Sequence, residues 1–347
     1  MTACRIELAN TLAQEFQKIF REEKDPLKDI LGQDSAKQDI KSALITGRHI
    51  IIVGPPGVGK TTLAKNIAKL LPRVRVNDCG YNCLPENPLC PSCKAGAKVK
   101  TKEISGEERF IRVQGSPDLT AEDLFGDIDP IKAMKFGPLS VEAFTPGKIF
   151  RANNGILFFD ELNRCPEKLQ NALLQVLEEG KITIGSYEVD FPASFIFIGT
   201  MNPEDKSTEP LSDVFLDRFD ITYMGYPETI EVETEIVRRK GLRLADFPDE
   251  LLRFAISFVR ELRTNKELEK LPSVRASIGL YERAQANAIL AGRKVVLLED
   301  LEEAVVSVLS HRIGLKPASK FLTTTEELIK KEFERAKQDF QQKGGYL

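Results

Sequence analysis

The feature that most constrains this chain is the glycine-rich segment Gly54-Pro55-Pro56-Gly57-Val58-Gly59-Lys60-Thr61. It follows the apolar run Ile50–Val53 directly and leads, through Thr62, into a helical pattern. A strand, a glycine-rich turn and a helix in this order are typical of a phosphate-binding loop, because the glycines let successive backbone N–H groups point at phosphate oxygens. The helix N-terminus adds partial positive charge at the same place. We therefore expect a nucleotide-binding domain built around this loop.

Two side chains at the end of the loop have the chemistry for binding Mg²⁺ and a nucleotide. Lys60 can reach the β- and γ-phosphates, and the Thr61 hydroxyl is placed to hold Mg²⁺. We assign the segment Gly54–Thr62 to the binding of ATP with Mg²⁺.

Composition excludes several broad classes of protein. The chain has 347 residues, 42% of them hydrophobic and 29% charged, with a net charge of −3. This length allows two domains, and the balance excludes both a disordered acidic chain and a strongly basic nucleic-acid binder. No segment approaches the 18 uncharged apolar residues that suggest a membrane span, and the N-terminus lacks a signal-peptide pattern. We expect a cytoplasmic protein without membrane insertion and without nucleic acid as a partner.

A second pattern places two adjacent carboxylates at the end of an apolar strand. The run Gly155–Phe159 is followed directly by Asp160 and Glu161. In a parallel sheet the carboxyl ends of the strands meet at one crevice, where both acids can face bound phosphates. We predict that Asp160 holds Mg²⁺ through water and that Glu161 polarises the water that attacks the γ-phosphate.

A third strand and two arginines complete the predicted site. The apolar run Phe195–Gly199 leads to Asn202, whose amide can orient the attacking water. Arg218 is predicted to be an arginine finger that neutralises the γ-phosphate of a neighbouring subunit. Arg275, at the start of a helix in the second domain, is predicted to be a second phosphate sensor. A surface ion pair is the alternative role for either arginine.

The order of strand and helix patterns predicts two domains. Before Pro227, strand candidates including Phe110–Val113 alternate with helical patterns, as in βαβ units. From Pro227 onward the strand signals stop. The expected fold class is α/β, with a P-loop parallel sheet flanked by helices in residues 1–226 and a smaller all-helical domain with a charged tail in 227–347. Helices are predicted at residues 6–24, Ser35–Leu44, Thr229–Lys240, Pro248–Arg263, Val274–Ala291 and Leu298–Leu309.

Four cysteines are concentrated in a loop at about 78–96. They form a C-x₃-C pair and a C-x₂-C pair, whose spacings can put four sulfurs around one tetrahedral ion. Zinc is the first choice for a structural metal there, ahead of an Fe–S cluster. The gap between the pairs is shorter than in a zinc ribbon, so a redox disulfide and unligated thiols stay as alternatives. The cysteines are Cys79, Cys83, Cys90 and Cys93.

These motifs, in this order, resemble those of the AAA+ ATPases from about Ile30 to Arg312. Within that superfamily the chain looks most like the helix-2-insert group, which includes the MoxR proteins and the magnesium chelatase I subunit. The segments that carry this resemblance are Phe144–Arg164, Gln170–Glu179, Gly199–Pro203 and Leu216–Phe219.

The resemblance implies an ATP-driven ring, usually a hexamer, with nucleotide sites between subunits. It also implies a helix-2 insert at about 127–148 and a hairpin at Lys181–Asp190, both facing the pore or the partner. The sequence pattern also predicts this hairpin without the resemblance, since Gly185-Ser186 separates two alternating apolar runs. Ile30 and Leu31 resemble the residues that pack on adenine.

Proteins of this group commonly act on a partner with a von Willebrand A domain, or serve a metal chelatase as its ATPase subunit. We therefore expect Mg²⁺-dependent ATP hydrolysis by a ring that remodels a partner protein. A nucleic-acid motor or transcription activator is one alternative, although Glu142–Gly147 departs from the activator loop and no appended helix-turn-helix is evident. A nucleotide-switched scaffold with little hydrolysis is another, and it would tolerate loss of Glu161.

Overall fold

The computed structural model of the chain describes residues 3–23, 25–96, 99–138, 140–183, 190–203, 205 and 211–342. The chain separates into two compact units. The first comprises Met1–Gly54 and Gly59–Met224, and the second comprises Pro55–Val58 and Gly225–Leu347. Within the described ranges, no helix combines the length and the apolarity needed to cross a membrane.

The first unit alternates strands and helices along the chain. Its strands are β1 (His49–Val53), β2 (Val74–Asn77), β3 (Thr101–Ile104), β4 (Phe110–Gln114), β5 (Gly126–Ile128), β6 (Phe144–Pro146), β7 (Gly155–Asp160), β8 (Lys181–Thr183), β9 (Asp190–Pro192), β10 (Phe195–Met201) and β11 (Phe219–Tyr223). Its helices are α1 (Ala3–Glu22), α2 (Asp34–Ile45), α3 (Lys60–Leu70), α4 (Pro91–Lys94), α5 (Ala121–Phe125), α6 (Pro130–Phe136), α7 (Lys148–Arg151), α8 (Glu167–Glu179) and α9 (Asp213–Leu216).

Five of these strands form one parallel sheet in the order β11-β1-β10-β7-β4. Every residue of β7 up to Phe159 is buried, as is every residue of β10 up to Thr200. Strands covered on both faces have continuous apolar runs rather than alternation, which is the pattern that made them predictable. The predicted parallel sheet is therefore confirmed, and β11 is a member that the sequence patterns did not reveal.

Three antiparallel pairs of strands in the first unit lie outside the five-stranded sheet. β2 pairs with β3 at the base of the cysteine-rich loop, and β5 pairs with β6 on either side of α6, within the predicted helix-2 insert. β8 pairs with β9, as a hairpin at Lys181–Asp190 requires. The predicted turn at Gly185-Ser186 lies outside the described residues.

The second unit packs five helices around its own apolar core. Its elements are α10 (Ile230–Lys240), α11 (Asp249–Thr264), β12 (Leu268–Lys270), α12 (Val274–Leu290), α13 (Leu298–Leu309), β13 (Gly314–Leu315) and α14 (Thr325–Gln342). The four helices predicted before the tail are confirmed. The expectation that strands end at Pro227 is wrong for β12 and β13, which pair antiparallel through Leu268 and Leu315. Strands this short contain too few residues to display a period of two.

One buried carboxylate joins three helices of the second unit. Glu233 of α10 is 0% exposed and accepts hydrogen bonds of 2.7 Å from both Nη1 and Nη2 of Arg263 on α11. The Ser277 hydroxyl of α12 donates to the same carboxylate at 2.6 Å. Arg263 is itself 8% exposed. Neither charge is solvated well by water, so each depends on the other.

We expect Glu233→Gln to destabilise the second unit by about 3–5 kcal/mol, because it leaves the Arg263 guanidinium buried without its counter-charge. Urea unfolding of the full chain, followed by hydrogen exchange in α10–α12, measures the loss. Glu235→Gln is the matched control on the same helix, since Glu235 forms a half-exposed pair with Arg239 at 2.7 Å. Such pairs contribute about 0.3–0.5 kcal/mol. Equal effects of the two substitutions would contradict the assignment.

Candidate active site

The glycine-rich loop connects β1 to α3 at the carboxyl edge of the sheet. A Cβ added to Gly54 would lie 2.1 Å from the Met224 carbonyl oxygen, so only glycine fits there. Gly59 caps α3 with a φ of 100°, and its cap contains no side-chain hydrogen bond. The amides of the first helical turn therefore lack a side-chain acceptor at the cap, which is the arrangement that accommodates phosphate oxygens.

The side chains of Lys60 and Thr61 lie at the start of α3. Lys60 Nζ donates to the Gly54 carbonyl oxygen at 2.6 Å, which places the ammonium group across the loop. The Thr61 hydroxyl lies 3.4 Å from Asp160 Oδ2. A hydroxyl and a carboxylate side by side are oxygen ligands of the type that Mg²⁺ prefers. The structure thus brings together the two residues that the sequence assigned to the metal.

Asp160 ends β7 and has a defined orientation. Thr200 Oγ1, on the neighbouring strand β10, donates to Asp160 Oδ1 at 2.8 Å and accepts from the Glu161 amide at 3.0 Å. On the other side, Arg112 Nη2 of β4 donates to Asp160 Oδ2 at 2.6 Å. Thr200 and Arg112 were not identified from the sequence; Thr200 lies near the end of β10, and Arg112 is the middle residue of β4.

Glu161 adopts an uncommon backbone conformation, with φ 56° and ψ 53°. A non-glycine residue in this left-handed region costs about 1–3 kcal/mol, and such residues are enriched at functional sites. Its carboxylate oxygen Oε2 accepts a hydrogen bond from Gln114 Nε2 at 3.0 Å and lies 3.3 Å from Arg164 Nη1. The hydrogen bond to Asp205 and then the charge of Glu161 raise the pKa of Arg164, so its guanidinium stays cationic.

Asn202 follows β10 at the same edge of the sheet. β10 lies between β1 and β7, so the segment after β10 lies between the glycine-rich loop and the carboxylate pair. The Asn202 carbonyl oxygen accepts from Asn163 Nδ2 at 3.3 Å, which joins it to the turn that follows Glu161. The role of Asn202 in orienting water stays a prediction.

Arg218 lies at the opposite edge of the sheet. It directly precedes β11, whose first residue Phe219 pairs in parallel register with His49, the first residue of β1. The loop that binds phosphate follows the last residue of β1, and a strand of five residues spans roughly 16 Å. The sheet therefore separates Arg218 from Lys60, Thr61 and the carboxylate pair of its own chain.

The guanidinium of Arg218 is paired within the chain. Its Nε donates to Glu178 Oε1 of α8 at 2.7 Å, and Nη1 donates to Asp217 Oδ2 at 3.2 Å. The side chain is 30% exposed. In the single chain Arg218 thus occupies the ion pair that the sequence analysis named as its alternative role.

One of the remaining predicted residues lies beside the glycine-rich loop, since Arg275 Cγ is 3.4 Å from the position of a Cβ added to Gly57. Ile30 is buried and Leu31 is half-buried, just before α2. Arg275 occupies the first turn of α12 in the second unit. Burial and then the charge of Arg275 lower the pKa of Arg312, so two guanidinium groups lie close together in that unit.

Three family descriptions match successive parts of the chain. Residues 26–80 match "Magnesium chelatase, subunit ChlI", and residues 91–221 match "ATPase family associated with various cellular activities (AAA)". Residues 261–332 match "AAA lid domain". The matches together include the glycine-rich loop, the carboxylate pair and most of the second unit.

Relatives with assigned names are similar over most of their length. The magnesium-chelatase subunit ChlI homolog of Methanocaldococcus jannaschii is 29% identical over 328 residues, which cover 84% of this chain and 86% of that protein. The magnesium-chelatase 38 kDa subunit of Acidiphilium rubrum is 28% identical, with coverage of 86% and 93%.

Solved structures are also similar. One is the complex between subunits BchI and BchD of magnesium chelatase (TM-score 0.47, 25% identity, coverage of 88% of this chain and 98% of that chain). NtrX from Brucella abortus has a TM-score of 0.50 at 16% identity and shares the fold alone (coverage of 92% and 64%). From its motifs, its parallel sheet and the three family matches, the chain is identified as an AAA+ ATPase related to the magnesium chelatase I subunits.

Proposed function

We propose that this chain hydrolyses ATP with Mg²⁺ as one subunit of a ring that remodels a partner protein. The resemblance to the AAA+ ATPases favours a hexameric ring. The observation that carries this proposal is the meeting of Thr61, Asp160, Glu161 and Asn202 at one edge of the sheet, beside the glycine-rich loop. A scaffold that only binds nucleotide would need the loop but not the oriented carboxylate pair.

Binding would use groups that already face this edge. The loop amides and Lys60 would hold the ATP phosphates, and Thr61 and Asp160 would hold Mg²⁺, which neutralises phosphate charge when bound. Asp160 Oδ2 accepts from Arg112 in this structure, so Arg112 would release that oxygen when the metal binds. Thr200 would keep Asp160 oriented during this exchange, because it contacts the other carboxylate oxygen.

Glu161 would accept a proton from the attacking water while Asn202 orients that water. The Glu161 carboxylate contacts Gln114 and Arg164, and it would have to leave these partners to contact the attacking water. Its release would couple hydrolysis to rearrangement of β4 and of the turn after β7.

The position of Arg218 supports a ring. An arginine at the amino edge of the sheet is unable to reach the loop at the carboxyl edge of the same chain, but a neighbouring subunit could present it there. It would first leave Glu178, so assembly would exchange an intrachain ion pair for a contact with the γ-phosphate. Arg275 and the adenine contacts of Ile30 and Leu31 keep the roles that the sequence analysis proposed.

The relatives favour a partner within a chelatase-like assembly. Two of them are named as magnesium-chelatase subunits, so the ATPase subunit of a metal chelatase is one form of the proposed activity. A MoxR-type chaperone that acts on a von Willebrand A domain protein is the other. The two forms share the same site and differ in the client.

Glu161→Gln is expected to lower ATP turnover by about 10²–10⁴-fold, because the amide is unable to accept the proton of the attacking water. Nucleotide affinity should persist, since Lys60 and Thr61 are unchanged. Steady-state phosphate release and equilibrium binding of a fluorescent ATP analogue measure the two effects. Glu167→Gln, at an exposed glutamate in the first turn of α8, is the control. Undiminished turnover in Glu161→Gln would refute the assignment of the base.

Thr200→Val should lower turnover by roughly tenfold while the sheet stays folded, because the isosteric side chain loses the hydrogen bonds to Asp160 and to the Glu161 amide. Thr222→Val is the matched control, a buried threonine of β11 that donates to Asp39 at 3.2 Å. Phosphate release and circular dichroism are compared for both variants. Equal turnover in the two variants would exclude Thr200 as a positioning residue.

Arg218→Ala alone should lower turnover by roughly 10³-fold, because the charge that develops on the γ-phosphate loses its counter-ion. Mixing Arg218→Ala with Glu161→Gln protein should restore part of the activity, since some interfaces then combine an intact base with an intact arginine. Arg48→Ala is the control at the same edge of the sheet, where Arg48 pairs with Asp220 at 2.6 Å. Absence of complementation at every mixing ratio would argue against action in trans.

A further inference from the structure

The four cysteines of the loop between β2 and β3 form a compact tetrad. The Sγ atoms of Cys79, Cys83, Cys90 and Cys93 all lie within 4.8 Å of one another. All four are free thiols, and Cys83, Cys90 and Cys93 are buried. We propose that these four sulfurs bind one structural Zn²⁺ ion, which fixes the loop to the segment that precedes β7.

The spacing of the sulfurs suits a single ion. Zn–S bonds of about 2.3 Å in a tetrahedron place the sulfurs roughly 3.8 Å apart, so little movement separates the observed tetrad from a closed site. In a polynuclear iron–sulfur cluster the thiolates bind different iron atoms, and the cluster itself spaces them further apart. The spacing therefore favours zinc among the metals considered.

Hydrogen-bond donors surround the sulfurs as they do in thiolate metal sites. The backbone amides of Leu89 and Cys90 each donate to Cys83 Sγ at 3.2 Å. The amide of Cys93 donates to Cys90 Sγ, and Asn77 Nδ2 donates to Cys93 Sγ, both at 3.4 Å. Such donors orient the ligands and offset the negative charge that four thiolates bring to one ion.

The tetrad lies in a long loop that has little regular secondary structure to stabilise it. Between β2 and β3 the described residues contain one regular element, the four-residue helix α4. Long loops with little regular structure are uncommon in compact domains unless something holds them. Here Cys83 is 0% and Cys90 2% exposed, so the loop contributes thiols, rather than large apolar side chains alone, to the core of the first unit.

The first half of the loop contacts the turn that leads into β7. The Tyr81 ring packs on Phe150 of α7 with centroids 5.2 Å apart, and its carbonyl oxygen accepts from Asn153 Nδ2 at 3.1 Å. Asn82 Nδ2 donates to the Arg151 carbonyl oxygen at 2.6 Å, and the Asn82 carbonyl oxygen accepts from Asn154 Nδ2 at 2.9 Å. These contacts lie between Cys79 and Cys83, so an ion bound to both would hold them in place.

The proposed zinc site shares no residue with the candidate active site and does not depend on ATP hydrolysis. Its proposed effect is order in the loop and in the segment before β7. A test therefore needs metal content and local protection as its readouts rather than turnover.

The first experiment measures metal in the full-length chain purified under reducing conditions with zinc and iron both supplied during expression. We expect about one zinc per chain by inductively coupled plasma mass spectrometry. Cys90→Ser and Cys93→Ser should each lose most of that zinc. Cys165→Ala is the matched control, a buried cysteine outside the tetrad, and should keep it. Full zinc content in Cys90→Ser, or iron with acid-labile sulfide in the unaltered chain, would overturn the proposal.

The second experiment keeps the test decisive if a serine variant fails to fold. The unaltered chain is stripped with a chelator under reducing conditions and titrated with Co²⁺, which should give the visible bands of tetrahedral thiolate coordination and saturate at about one equivalent. Adding Zn²⁺ should remove the bands and slow hydrogen exchange across residues 78–100 and Lys148–Arg151, but not in α11. Absence of the bands, Zn²⁺ binding without slower exchange, or a disulfide among the four cysteines in the untreated protein would each refute the site.

Discussion

The parallel register of β1, β10 and β7 is the constraint on which the rest of the structure depends. Because the three strands run in the same direction side by side, the segments that follow them emerge at one edge of the sheet. Those segments are the glycine-rich loop, Asn202 and the Asp160-Glu161 pair. Residues that are about a hundred positions apart in sequence become neighbours through backbone pairing alone, and Thr200 then joins β10 to β7 with side-chain hydrogen bonds.

The same register has a consequence on the opposite side. β11 pairs with β1 in the same direction, so a residue before β11 lies at the amino edge, away from the glycine-rich loop of its own chain. Arg218 occupies that position and is held there by Glu178. The proposed role of Arg218 at the γ-phosphate would therefore require a second subunit to present it there. Such a contact would first have to break the ion pair with Glu178.

Two side chains of β4 contact the acids of the candidate site. Arg112 contacts the carboxylate proposed for Mg²⁺, and Gln114 contacts the proposed base. Both belong to β4, so movement of this one strand could release both acids. The left-handed backbone at Glu161 adds strain at the same point, and strain of this kind persists only where the surrounding structure determines it. Strand β4 is therefore as much a part of the site as the loop itself.

Sequence patterns predicted the features whose physical cause is local or periodic. Continuous apolar runs identified β7 and β10 because both faces of these strands are covered, and helical spacing identified the helices of the second unit. β11, β12 and β13 were not predicted from the sequence. They are short or have exposed residues, so their apolar residues show no clear periodicity. Arg112, Gln114 and Thr200 were not predicted, because the role of a polar residue in a strand becomes clear only when the neighbouring strand is known.

The sequence by itself predicted a phosphate-binding loop at Gly54–Thr61, placed paired acids after an apolar strand, and put four cysteines close along the chain. These conclusions depend on residue type and spacing, which need no knowledge of distant contacts. Only the tertiary structure decided which edge of the sheet each group occupies, that the four thiols converge, and that Arg218 lies apart from its own loop. Those outcomes depend on strand order and direction. Long-range pairing sets both, so no local sequence pattern predicts them.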